Sequence, residues 1–114
     1  MRLVRLAGWL SIAASACIQA HAQLQRATPA DGSVLSRAPT ELVLSFSEAA
    51  QLTALSIEKE GGAKQKLGSL PQKPQTTISV ALPQLAAGRY VVSWRAVGAD
   101  GHVVPGQIHF TLSP

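Results

Sequence analysis

From Glu41 to Phe46 the chain alternates without a break. Leu42, Leu44 and Phe46 fall on one side, and Glu41, Val43 and Ser45 on the other. A period of two marks a strand with one face buried. The same pattern returns in "TALSIEKE", with Leu55 and Ile57 before Gly61-Gly62, and in "TTISVAL", with Ile78, Val80 and Leu82. It returns again in "RYVVSWRAV", with Tyr90, Val92, Trp94 and Ala96, and in "QIHFTL", with Ile108, Phe110 and Leu112. Between these runs stand turn-forming clusters, among them "TPADGS" (Thr28 to Ser33) and "RAPT" (Arg37 to Thr40),. Short strands at this spacing predict an all-β domain: a Greek-key β-barrel or immunoglobulin-like sandwich of about seven strands. Gly61 to Gln75 is rich in Gly, Lys, Gln and Pro, which predicts a solvent-facing excursion. No helical period, internal repeat or linker appears after the first residues.

Two positions bear on fold alone. "LAAGRY" (Leu85 to Tyr90) fits a tyrosine corner, in which the phenol returns to the backbone just upstream,. Trp94 shares a face with Tyr90 and reads as core; its functional alternative is an exposed stacking platform for a sugar.

The N-terminus breaks the pattern. Arg2 and Arg5 precede an uncharged apolar run, Leu6 to Ala16, and then small residues. That is the form of a secretory signal peptide, and the run is too short for a membrane span of about 20 residues. The reading is a leader over residues 1–20, a single domain over residues 21–114, and export to a bacterial periplasm. Two alternatives stand beside it. Ala20-His21-Ala22 is itself an A-x-A cleavage site, so a cut after Ala22 would discard His21. "Ala14-Ser15-Ala16-Cys17" approaches a lipoprotein signal, although Ala14 stands where Leu is usual; lipidation would tie the domain to a membrane. Cys17 is the one cysteine and Met1 the one methionine. The exported domain therefore carries no disulfide, thiolate or thioether.

Charge narrows the function classes. The net charge is +4, of which Arg2 and Arg5 lie in the leader. The remaining cations are scattered from Arg26 to Arg95 without a basic cluster interleaved with aromatics, so nucleic acid is excluded as a partner. No Gly-x-Ser-x-Gly, phosphate-cradling glycine loop or carboxylate pair supports catalysis, and the chain is read as not an enzyme. Three histidines remain. His109 lies opposite Ile108 and Phe110 and reads as an outward strand residue. His102 lies in "GADGHVVPG", two residues after Asp100; in extended backbone the two would point to one side. A carboxylate beside an imidazole is half of a divalent-metal site. His21, if it is the first residue of the mature chain, adds an α-amine and its own imidazole. Three nitrogens with an oxygen suit Cu(II), and Cu(I) would prefer sulfur that this domain lacks.

The string "HAQLQRATPADGSVL…APTELVLSFSE…LAAGRYVVSWRAVGADGHVVPGQIHFTL" resembles the CopC family of periplasmic copper-binding and copper-resistance proteins. The resemblance implies a Greek-key barrel that binds one Cu(II) per chain. It places the family's ligands on His21, Asp100 and His102, with Glu48 of "FSE" at or near the metal. Some members also carry a methionine-rich Cu(I) site, whose residues are missing here. The implied function is sequestration of Cu(II), or its delivery to an inner-membrane copper importer of the CopD type. Two rivals remain open: a metal-free sandwich module, if His21 is removed or acylated, and a copper-dependent oxidative enzyme acting on polysaccharide.

Overall fold

The computed structural model describes residues 22–114. The predicted leader and its predicted cleavage site, with Cys17 and His21, lie outside the described residues. Seven strands follow in chain order: β1 Leu24–Thr28, β2 Ser33–Leu35, β3 Glu41–Lys59, β4 Lys64–Lys66, β5 Gln75–Ala81, β6 Gly88–Gly98 and β7 Val103–Leu112. No helix occurs among the described residues.

Strand β3 organises the fold. Its first half pairs with β1 and β5, and its second half pairs with β6 and β4. The register shifts between Ser45 and Ala50 against β5, and between Leu52 and Ala54 against β6. Such irregularities bend a strand and increase its twist. The sheet, in the order β1-β3-β6-β7-β2, is thus curled into a sandwich, with β4 and β5 also joined to β3. "ELVLSF" and "TALSIEKE", which read as two strands, are one strand of 19 residues. Leu42, Leu44 and Phe46 from its first half meet Leu52, Leu55 and Ile57 from its second in one core. The inward position advances by three residues from Leu52 to Leu55, and the shift beside Thr53 accommodates that change of phase.

The predicted alternation holds along the interior. Ile78, Val80, Tyr90, Val92, Trp94, Ala96, Ile108, Phe110 and Leu112 are all buried. Leu42 and Leu44 are fully enclosed, so a Leu→Ala change at either would cost about 2–5 kcal/mol through lost burial and the cavity left behind. The Tyr90 hydroxyl donates to the Ala86 carbonyl at 2.6 Å, as a tyrosine corner should, and its ring stacks on Phe110 with centroids 5.3 Å apart,. Trp94 is buried rather than a sugar platform; its ring lies against Gly106 of β7, where any side chain would collide with it.

The Gly61–Gln75 segment departs from expectation in part. It is mostly exposed, but Lys64–Lys66 forms β4 and Leu67 is buried, with its amide donating to the Leu55 carbonyl at 2.9 Å. One apolar residue in a polar run suffices to fasten it to the body.

Candidate metal centre

Strands β6 and β7 pair from Gly88↔Leu112 to Val97↔Val103 and close through a tight turn. The Gly101 amide donates to the Gly98 carbonyl at 2.9 Å, and the Gly98 amide to the His102 carbonyl at 3.0 Å. Gly101 has φ +84°, a left-handed conformation that glycine adopts without the usual steric cost,. A type I turn followed by a left-handed glycine is a common three-residue hairpin connection. "ADGH" supplies the residues that such a turn needs.

The turn brings Asp100 and His102 together. Asp100 Oδ1 accepts the His102 backbone N–H at 3.0 Å, and Oδ2 lies 2.8 Å from His102 Nδ1. The sequence placed them on one side through extended backbone; the structure does so through a turn, and the carboxylate grips both groups. A carboxylate only accepts, so Nδ1 of the neutral ring carries the proton. The lone pair that can bind a metal is therefore on Nε2. Such a carboxylate–imidazole contact fixes both ring orientation and tautomer. The Asp100 side chain is 24% exposed and that of His102 65%, which shields the anchor and presents the imidazole.

Gly98 lets Ala22 approach this turn. A Cβ at Gly98 would lie 3.1 Å from Asp100 Oδ1, 3.6 Å from Ala22 Cβ and 3.7 Å from Ala22 N. Ala22 is buried against the end of the sheet. It lines a surface hollow of about 320 Å³ with His102, Val103, Val104 and Pro105. The peptide nitrogen of Ala22, which joins it to residue 21, thus lies at the Asp100–His102 turn.

Glu48 is exposed on β3, two residues before Ala50, and Ala50 pairs with Gly98. It sits toward the same end of the sheet. However, no group of three His, Cys, Asp or Glu side chains close enough to hold a metal ion forms among the described residues. Asp100 and His102 are the pair brought together; further donors must come from elsewhere.

His109 is exposed toward the other end of β7, as the alternation predicted. A role that sequence reading missed belongs to Asp31. Its Oδ1 accepts the His109 amide at 2.8 Å, and the Gly32 amide donates to the His109 carbonyl, which pins the "PADG" turn to β7. The His109 hydrogen bond, the largest influence, holds the Asp31 carboxyl below its ordinary value. The ring Nδ1 stands 3.5 Å from the same oxygen. Asp31 and His109 are 78 residues apart, and only the turn character of "TPADGS" hints at either.

Comparison with known proteins agrees with this architecture. The profile of the CopC domain matches residues 24–113. Copper resistance protein C of Pseudomonas syringae pv. tomato is 32% identical, over 86% of this chain and 85% of its own. Protein YobA of Escherichia coli K12 is also 32% identical, over 84% and 80%. Among solved structures, CopC from Methylosinus trichosporium OB3b superposes with a TM-score of 0.71 at 28% identity, covering 82% of this chain and 95% of that one. PcoC, a methionine-rich copper resistance protein from Escherichia coli, gives 0.62 at 26%, covering 82% and 100%. The chain belongs to the CopC family.

Proposed function

We propose that this protein is an exported copper-binding protein of the bacterial periplasm, which holds one Cu(II) at the end of the β6–β7 hairpin and serves copper resistance by sequestering or delivering it. The ligands in this reading are the amine and imidazole of His21, made the first residue by cleavage after Ala20, together with His102 Nε2, while Asp100 orients the His102 ring from behind,. Glu48, exposed toward the same sheet end but not grouped with Asp100 and His102, would have to move to serve as a further oxygen donor.

One observation carries the reading. The Asp100 carboxylate grips His102 through both its backbone amide and Nδ1, and the nitrogen that links Ala22 to residue 21 packs against Gly98 at the start of the same turn. A terminal histidine there would add two nitrogens that close a chelate ring on one metal. Nitrogen donors fit Cu(II) better than Cu(I), and the domain after the leader has no sulfur,. The names of the relatives, copper resistance protein C among them, support copper over another divalent ion. Delivery to an inner-membrane importer of the CopD type rests on the family alone.

The test begins with the intact mass of protein recovered from the periplasm, which reports the cut and any lipid on Cys17. Cu(II) titration against a competing chelator follows. One tight equivalent, lost in both His21→Ala and His102→Ala, is the expected result. Affinity should fall as pH is lowered, because amine and imidazole, with ordinary values of about 8 and 6.5, must lose protons to bind. Equal binding by a correctly processed His21→Ala protein would refute the site.

A further inference from the structure

A second concave site lies on the outer face of the curled sheet, away from the copper ligands. It is a cleft of about 410 Å³ where β4 ends beside β3 and β6. Its size is within the usual range of binding pockets, about 300–1,000 Å³. Lys64, Lys66 and Arg95 border it, and Leu67 and Leu70 form an apolar wall. The pairing explains how these residues converge. Lys66 is opposite Ser56, Ser56 is opposite Ser93, and Arg95 is opposite Ala54. Directly paired residues share a face, so small side chains make the floor and long cations rise around it.

None of the three cations makes an ion pair within 4.0 Å among the described residues, whereas Arg89 does, with Glu60 at 3.8 Å. Glu58, directly opposite Lys64, offsets part of this charge, but Lys66 and Arg95 stand opposite Ser56 and Ala54 and leave an excess of positive charge that favours an anionic occupant,. The leucine wall asks for an apolar group on that same occupant. Strand β4 is bonded on one side only, to β3, so its other edge is open to an extended chain,.

Lysines on edge strands also discourage pairing between copies of a chain. That accounts for Lys64 and Lys66 but not for Arg95, which projects from the interior strand β6, nor for the leucines.

We propose that this cleft binds an acidic, extended peptide segment of a partner protein, with one apolar side chain seated against Leu67 and Leu70. The outer face is continuous with the metal turn: Arg95 is paired with Pro105, and Pro105 lines the hollow beside His102 with Val103, which is 53% exposed. A partner held at the cleft is thereby placed alongside the proposed copper ligands. Binding at the cleft stands independently of the copper reading; only its use in handing over copper rests on it.

The experiment follows amide resonances of the metal-free protein during titration with a short blocked peptide of acidic residues flanking a leucine. Saturable shifts are expected at residues 53–56, 64–67 and 93–95. Exposed ion pairs contribute up to about fivefold each, so Lys66→Glu and Arg95→Glu should each weaken binding roughly tenfold, and high salt should weaken it further. Copper titration of the same variants should match the parent; a copper defect in the parent would sink the metal reading and leave the cleft untouched. Three results overturn the proposal. These are no shift with the acidic peptide, equal shifts with a lysine counterpart, and equal shifts with succinate, which would make the cleft a simple anion site.

Discussion

Replacing Asp100 by asparagine keeps the shape of the turn but inverts its hydrogen-bond logic. The carboxylate serves two donors at once, the His102 amide at 3.0 Å and Nδ1 at 2.8 Å. The two donors meet two different oxygens, and asparagine has one, so it cannot serve both in this geometry,. If that oxygen keeps the amide, the NH₂ group faces Nδ1 and favours the tautomer with its proton on Nε2, where the metal should bind. If the oxygen instead takes Nδ1–H, the amide loses its partner. Hydrogen bonds to charged groups are worth about 1.5–3 kcal/mol, and carboxylates behind metal-binding histidines typically contribute 10–100-fold in affinity. Cu(II) affinity of Asp100→Asn should therefore fall by about one to two decades at neutral pH. Stability should fall by no more than about 1 kcal/mol, since the turn is exposed and solvent replaces the lost partner. Two assays separate the steps. Nitrogen-15 shifts of the metal-free protein read the His102 tautomer directly, and chelator competition reads affinity. Parent protein with its proton on Nε2, or Asp100→Asn binding copper as the parent does, would refute the reasoning.

Other changes test the frame around the site. Gly106→Ala would set a Cβ 2.6 Å from Trp94 Cε2 and 2.8 Å from Cη2, so thermal denaturation should show a loss of about 1–3 kcal/mol, partly restored by Trp94→Leu. Tyr90→Phe removes the 2.6 Å bond to Ala86 and should cost about 0.5–1.5 kcal/mol in urea unfolding, with copper binding unchanged. The Asp31 carboxyl is held below 3.8 by the His109 amide, so its stabilising effect is present above that value and is lost as pH falls through the lower folded value. Acid titration of stability should therefore be shallower in Asp31→Asn than in the parent. Gly98→Ala places a Cβ 3.1 Å from Asp100 Oδ1 and should weaken Cu(II) binding through that displaced carboxylate, with the fold retained by circular dichroism.

What could be read from sequence was what repeats locally. Alternation identified the inward residues of β5, β6 and β7 because each strand keeps one phase. It failed at β3 for a physical reason. Ser47-Glu48-Ala49 contains no large apolar residue, since the strand there passes from one layer to the other, and the shift at Thr53 then changes the inward phase. A strand that turns a corner therefore looks like two. Leu67 was passed over because a single anchor has no period. Asp100 and His102 were legible because the bond between them spans two residues, even though a left-handed glycine, not extended backbone, joins them.

The two Asp–His contacts of this chain show why residue type alone does not define a metal site. Both carboxylates accept the backbone amide of their histidine, at 3.0 Å from His102 and 2.8 Å from His109. At His102 the second oxygen is left for the ring and meets Nδ1 at 2.8 Å, with the Asp100 side chain 24% exposed. At His109 the nearest oxygen to the ring is the one already committed to the amide, 3.5 Å away, and the Asp31 side chain is 66% exposed. The first arrangement fixes a tautomer and aims a lone pair; the second fastens a turn to a strand. A copper titration of His109→Ala should therefore be indistinguishable from the parent, because the Asp31 carboxylate acts chiefly on the His109 backbone amide and its ring contact is the longer one.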